Sequence, residues 1–171
     1  METWDAIRAR RNVREFDPSP VSREDLDRIL EAGRRAPSAS NEQPWDFVVV
    51  TERERLQQLA GVWRGAWHIA GAAAAIAFVT PMKETERHRE LVWFDLGHAV
   101  MAMMVMAADL GLGTGHAAVE NQDLARELLG FPEGRQCAMI LSVGRPADRP
   151  IKPIMKPNRR PFDEVVHREH W

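Results

Sequence analysis

Tyrosine is absent from the 171-residue chain, which removes every mechanism that needs a phenol. The single cysteine, Cys137, excludes an intrachain disulfide and a multi-cysteine metal cluster, and fits a reducing, cytoplasmic compartment. Lysine is scarce: it occurs only at positions 83, 152 and 156, so twenty of the 23 basic residues are Arg. The planar fork of arginine suits bidentate recognition of phosphate or carboxylate, although genomic bias would leave the same composition. Net charge is also slight. With 23 basic against 25 acidic residues the balance is -2, so no bulk field favours nucleic acid or anionic lipid. The opening Met-Glu-Thr-Trp-Asp lacks a basic region followed by an apolar run, so the chain is expected to stay where it is made. Of two apolar stretches, 69–79 is too short to span a bilayer and 91–112 carries Asp95, His98 and Asp109; neither is expected to cross a membrane.

What is present is 44% apolar residues, enough for the core of one domain or of one subunit in an intertwined oligomer. No repeat or Gly/Ser linker interrupts the chain, and proline clusters only in 145–161. One domain over 1–171 is expected, with 145–171 as an extended C-terminal tail. Trp4, Ala6 and Ile7 suggest a short helix. Ser22 and Asp25 resemble a capping box opening a second, with Leu26, Ile29, Leu30 and Gly33 on one face and an end before Pro37. Phe47 to Val50 suits a buried strand, 52–60 an amphipathic helix with Leu56 and Leu59 inward, and 74–80 a second strand. The Ala- and Met-rich stretch 90–110 is apolar nearly all round, which means a helix buried on most faces, with a partner subunit as a common source of that burial. Asn121 should cap a short helix carrying Leu124, Leu128 and Leu129, and 137–143 a third strand. The class is α+β.

Two segments can carry chemistry. Arg10-Arg11-Asn12-Val13-Arg14-Glu15-Phe16 sets three guanidinium groups beside an amide that both donates and accepts, suited to a phosphate and a polar ring edge; a solvated charge run is the alternative. Ala36-Pro37-Ser38-Ala39-Ser40-Asn41-Glu42-Gln43-Pro44-Trp45 is a stiff loop whose backbone can approach a flat polar ligand, or else an ordinary helix-to-strand turn. The six histidines show no metal spacing. His98 reads as a satisfied core histidine, the methionines at 101, 103, 104 and 106 as packing at a subunit interface, and Cys137 as an inert buried thiol. Trp45 either walls a cleft or fills the core.

Together these segments resemble the FMN-dependent nitroreductase family. The likeness runs through the early Arg-Arg-Asn-Val-Arg-Glu-Phe and Pro37-Ser38 through Asn41-Glu42-Gln43-Pro44-Trp45. It continues in Asp95-Leu96-Gly97 opening a helix that ends in Leu110-Gly111-Leu112-Gly113, in Gly144-Arg145-Pro146, and in the closing Arg159-Arg160-Pro161-Phe162-Asp163-Glu164-Val165-Val166-His167. It implies a nitroreductase-like fold, a central mostly antiparallel sheet flanked by helices, in an interleaved homodimer with FMN in each of two interface clefts. By position, Arg10, Asn12 and Arg14 would line the phosphate, ribityl and pyrimidine side of the flavin, with Arg11 an alternative at the phosphate. Pro37, Ser38, Ala39, Asn41 and Gln43 would come from the other subunit, and Arg159 with Arg160 would reach the phosphate. Ala117 and Ala118 would offer backbone near the reactive nitrogen. Asn12 and Ala39 stand where relatives commonly have Ser, and 80–90 is short where longer relatives insert covering helices.

The implied activity is ping-pong transfer from NADPH or NADH through bound FMN to a nitroaromatic, quinone or similar small acceptor, with no catalytic side chain and no metal. The alternative is an FMN storage or sequestration protein with little turnover. A specialised relative, such as a dehalogenase or flavin-consuming enzyme, would need a substrate lid that 80–90 is short for. A nucleic-acid module built on the arginines is disfavoured by the charge balance.

Overall fold

Residues 1–83 and 85–171 are described by a computed structural model of the chain. Helix α1 (Thr3–Ala9) and helix α2 (Arg23–Arg34) precede strand β1 (Asp46–Val50) and helix α3 (Arg53–Leu59). Strand β2 (Ala74–Pro81) leads to the long helix α4 (Glu86–Asp109), followed by strand β3 (Gly113–Ala118), helix α5 (Gln122–Leu129) and strand β4 (Arg135–Gly144).

The β-branched and alanine-rich run of β2 lies inside the sheet, and its two sides feed two cores. Ala74, Ile76 and Phe78 face Leu26 and Ile29 of α2 and Leu96, Ala99 and Met103 of α4. Ala75, Ala77 and Val79 face Leu56 and Leu59 of α3, the short helical turns of 60–71, and Ala125 of α5. The sheet order is β1-β2-β4-β3 and every pairing is antiparallel. Helices therefore cover both faces of a sheet expected to be mostly antiparallel and found to be wholly so.

The caps are as the residues foretell. The Ser22 hydroxyl accepts from the Asp25 amide at 3.0 Å, and Asn121 Oδ1 accepts from Leu124 N at 3.0 Å. Three expectations need correction. Strand β1 is an edge strand, so Phe47 and Val48 are only half-buried and Val49 is exposed. Strand β3 is a fourth strand that two glycines disguise as the end of the preceding helix. Helix α4 begins at Glu86, capped by the Thr85 hydroxyl, and one chain buries only its sheet-facing side.

The rest of α4 stays open: Trp93 is 50%, Phe94 65% and Met101 40% exposed, and on α1 Trp4 is 64% exposed. Met103 and Met104 belong to the core of this same chain rather than to an interface. By length and composition α4 could cross a membrane, yet Leu96, Ala99, Met103 and Ala107 are spent on the sheet. The tail is tied down at its start, where Asp17 N donates to the Arg145 carbonyl and Ala147 N to that of Glu15. Ile151 is buried, and from position 155 onward every residue is exposed.

Candidate functional site

After α1 the chain runs extended along β3, with Asn12 and Thr114 in a parallel bridge and Val13 N donating to the Thr114 carbonyl at 2.8 Å. Side chains alternate there, as in any strand: Val13 is buried, while Asn12 and Arg14 face outward. Glycines admit this close approach. A Cβ at Gly113 would stand 2.5 Å from Val13 Cγ2, and one at Gly115 would stand 2.4 Å from the Val13 carbonyl oxygen. Gly115→Ala should therefore cost about 1–3 kcal/mol of stability by overpacking and lower Tm by several degrees in a calorimetric scan.

The three arginines then part company. Arg11 donates to Asp148 Oδ1 at 2.7 Å and to the Arg149 carbonyl at 2.8 Å, clamping the start of the tail. The same bond holds the Asp148 carboxyl below the usual carboxylate range. Arg10 and Arg14 have no acidic partner among the described residues, and Arg10 Nε is buried without any partner. A cavity of about 230 Å³ opens between Arg11, Asn12, Arg14, Glu15 and Asp148. Two uncommitted guanidinium groups flanking an exposed amide suit an anionic group such as a phosphate, which supplies the acceptor oxygens they lack. Arg11 is less available than the sequence suggests.

The second segment is a strained loop. Ser40, Asn41 and Gln43 all sit in the left-handed region, with φ of 49°, 57° and 50°. None is glycine, and such backbone persists only where its surroundings impose it. Here the Ala39 amide donates to both carboxylate oxygens of Asp95 at 3.1 Å, and Gln43 N donates to Ser38 Oγ at 2.9 Å. Asp95 is 3% exposed, so α4 holds this loop by a buried carboxylate. An Asp inside an apolar helix was the available signal for this anchor; in the sequence it served only against a membrane span and as part of a family motif. Pro37, Asn41 and Gln43 are exposed, Ser38 and Ala39 half-buried. Among the described residues no hydrogen bond or ion pair joins this loop to Arg10, Asn12 or Arg14. Trp45 is 8% exposed and stacks on Phe47 in the core.

At the far end of β3, Ala117 is buried opposite Ile140, and Ala118 is exposed opposite Met139. Ala117 is 1% exposed, so within one chain only Ala118 of the pair is accessible. Among the described residues the Arg159 side chain bonds only the Asn158 carbonyl, and Arg160 is held by Glu164, both in the exposed tail. One chain does not bring either to the arginine segment. His98 is not the satisfied core histidine expected: it is half-buried, its Nδ1 lacks a partner, and Phe94 lies edge-on at 4.5 Å. Cys137 matches expectation, its thiol pushed up to about 12 by burial.

His68 was passed over. It is 1% exposed, and its Nδ1 lies 2.9 Å from Ser142 Oγ, which donates to the Gly115 carbonyl at 2.9 Å. With the hydroxyl proton spent, Nδ1 carries the imidazole proton and Nε2 is left as a buried, unpartnered acceptor. Burial, reinforced by the Arg14 charge, pulls its pKa down to about 4. The unfolded chain takes up this proton near pH 6.5 and the folded chain refuses it until about pH 4. Stability contributed here is whole above pH 6.5 and declines as pH falls toward 4, by roughly 3 kcal/mol at most. Urea midpoints at pH 7 and 4.5 should show this extra loss in the wild type and not in His68→Gln.

Comparison with known proteins identifies the family and the fold. The profile of the Nitroreductase family matches residues 7–82 and 62–145. An Archaeoglobus fulgidus protein provisionally named NADH dehydrogenase/NAD(P)H nitroreductase is 32% identical over 96% of this chain and 96% of its own. FMN reductase [NAD(P)H] from Bacillus subtilis is 28% identical over 94% of this chain and 71% of its own. A crystal structure from Clostridium acetobutylicum, provisionally named NADH oxidase, has a TM-score of 0.85 at 26% identity, covering 98% of this chain and 100% of that one. A family profile that spans most of the sequence, a full-length relative and a shared architecture place the chain in the nitroreductase family.

Proposed function

We propose that the protein is an NAD(P)H-dependent flavin oxidoreductase that binds FMN and passes reducing equivalents to a small electron-poor acceptor, a nitroaromatic or a quinone. The observation that carries this reading is the arginine segment: Arg10 and Arg14 stand without acidic partners beside β3, with Arg10 Nε buried and unsatisfied. The donor set fits FMN. Arg10 and Arg14 would hold the phosphate, and Asn12 offers an amide to the ribityl or pyrimidine edge. FMN, when bound, supplies hydride transfer from NADPH or NADH and onward reduction of an acceptor, in turn and at one site. The chain's residues bind and orient, and none is needed as a general acid or base. Relatives named FMN reductase [NAD(P)H] and NADPH-flavin oxidoreductase support the cofactor and the reductant.

The functional unit is a homodimer in the cytoplasm. Pro37, Ser38, Ala39, Asn41 and Gln43 of one chain complete the site of the other, as do Arg159 and Arg160 of the tail, with the backbone of Ala117 and Ala118 beside the ring. The domain is 1–171, with 145–171 as the reaching tail. Support comes from the separation of these groups from Arg10 and Arg14 within one chain, and from the exposed Trp4, Trp93, Phe94 and Met101.

The deciding experiment is the visible spectrum of the purified protein before and after anaerobic NADPH, then NADH. A yellow protein that bleaches supports a working reductase. One that stays oxidised with both reductants points instead to FMN storage, and a colourless protein that refuses added FMN overturns the cofactor assignment.

A further inference from the structure

Between Glu90 and Asp109, Asp95 is the only carboxylate on α4. It is buried, and among the described residues its one donor is the Ala39 amide, 3.1 Å from each carboxylate oxygen. The crevice that it shares with Ala39, Glu42, Lys83 and His88 measures only about 10 Å³, so the carboxylate is nearly dry. One amide is poor compensation for a desolvated charge. An apolar side chain of the same size would serve the packing of α4 at least as well, so the return on this carboxylate lies in the loop that it holds. That loop has three left-handed residues and no glycine from Ala36 to Trp45, and strain of this kind gathers where a function uses it. Its internal bonds all lead to two residues. Asn41 N donates to the Ser38 carbonyl and Glu42 N to that of Ala39, both at 3.0 Å, and Gln43 N donates to Ser38 Oγ. Ala39 in turn hangs from Asp95. On the outside only the exposed pair of Lys83 and Glu42, 3.6 Å apart, ties the loop down, and such pairs hold weakly.

We infer that Asp95 is a positioning residue for the flavin: through the Ala39 amide it holds the loop in the strained shape that offers Asn41 and Gln43 to FMN. Because that loop completes the site of the other chain, α4 of one subunit sets the cofactor contacts of its partner. A bond from an amide to a charged acceptor is stronger than one to a neutral acceptor, which favours a carboxylate over an amide against the strain of three left-handed residues. The inference rests on the flavin and dimer reading above, and it adds a residue that does not itself touch the cofactor.

The test uses Asp95→Leu and Asp95→Ala, which remove the acceptor, and Asp95→Asn, which keeps one oxygen for the Ala39 amide. Four readouts are taken: Tm without flavin, hydrogen exchange of the peptide over 37–43, FMN affinity by fluorescence titration, and visible circular dichroism of the bound flavin. In the Leu and Ala variants Tm should hold or rise, because a buried charge has gone. Exchange in 37–43 should quicken about tenfold as the loop opens locally. FMN should bind about thirtyfold more weakly, through lost preorganisation, with an altered flavin dichroism. Asp95→Asn should restore affinity to within about fivefold of the wild type. Leu and Ala variants that bind FMN within about threefold of the wild type overturn the inference. So does a Tm lowered by more than about 5 °C in both, or a failure of both to fold, since Asp95 is then a residue of the fold. A wild type that takes up no FMN defeats the flavin reading itself and this inference with it, an outcome visible before any variant is made.

Discussion

Leu96→Asp should leave no folded chain at 25 °C, whereas Phe94→Asp, two positions away on the same helix, should leave a folded monomer. Leu96 is 1% exposed and packs against the sheet with Ile76 and Phe78. Losing its burial costs about 2–5 kcal/mol, and placing a carboxylate without partners in that layer costs several kcal/mol more. The sum rivals the roughly 5–15 kcal/mol that holds a domain together. Phe94 is 65% exposed, and its one aromatic contact among the described residues is the edge-on His98 at 4.5 Å, worth about 1 kcal/mol. In the proposed dimer the same side chain lies in a covered apolar face, where a charge is not tolerated. Circular dichroism should show a melted Leu96→Asp and a native Phe94→Asp, and size-exclusion chromatography should show the latter eluting as a monomer that has lost its flavin. A flavin-loaded Phe94→Asp dimer would move the interface away from this face of α4.

Arg10→Ala should weaken FMN binding about a hundredfold without lowering Tm, reflecting the loss of roughly 3 kcal/mol of charge-assisted hydrogen bonds to phosphate. Among the described residues this guanidinium has no hydrogen-bond or ion-pair partner, and its Nε is buried, so its removal breaks no polar contact within the fold. Arg11→Ala is the informative contrast. It strips Asp148 and the Arg149 carbonyl of their donor and releases the start of the tail, so stability should fall while FMN affinity changes less. Fluorescence titration of FMN alongside thermal melts separates the two. Equal loss of affinity from both substitutions would mean that the phosphate is not held by Arg10.

Much of the fold was legible because local chemistry dictates it. Ser22 and Asn121 announce helix starts by the hydrogen bonds that they alone can accept there. The β-branched and alanine-rich run of 74–80 can be buried on both faces, and the Ala- and Met-rich stretch 90–110 reads as a buried helix, although its true start at Glu86 lies in a charged turn. Strand β3 was hidden because Gly113 and Gly115 carry no side chain from which to read a period, and their reason lies 100 residues away in Val13. The site was legible by residue type only. Three arginines in five positions read alike, and nothing in their order tells that Arg11 is tied to Asp148 while Arg10 is left free.

The sequence by itself determined the α+β class, the placement of most elements, the family and the segments that carry its chemistry, since these depend on periodicity, capping and the residue types in a short window. Only the tertiary structure decided which arginine is spent, that Asp95 anchors the strained loop at Ala39, that His68 is buried neutral behind Gly115, and that α4 keeps one apolar face uncovered. Those outcomes depend on which distant groups come within hydrogen-bonding or van der Waals reach, and that is set by the packing of the whole sheet and its helices rather than by any local run of residues.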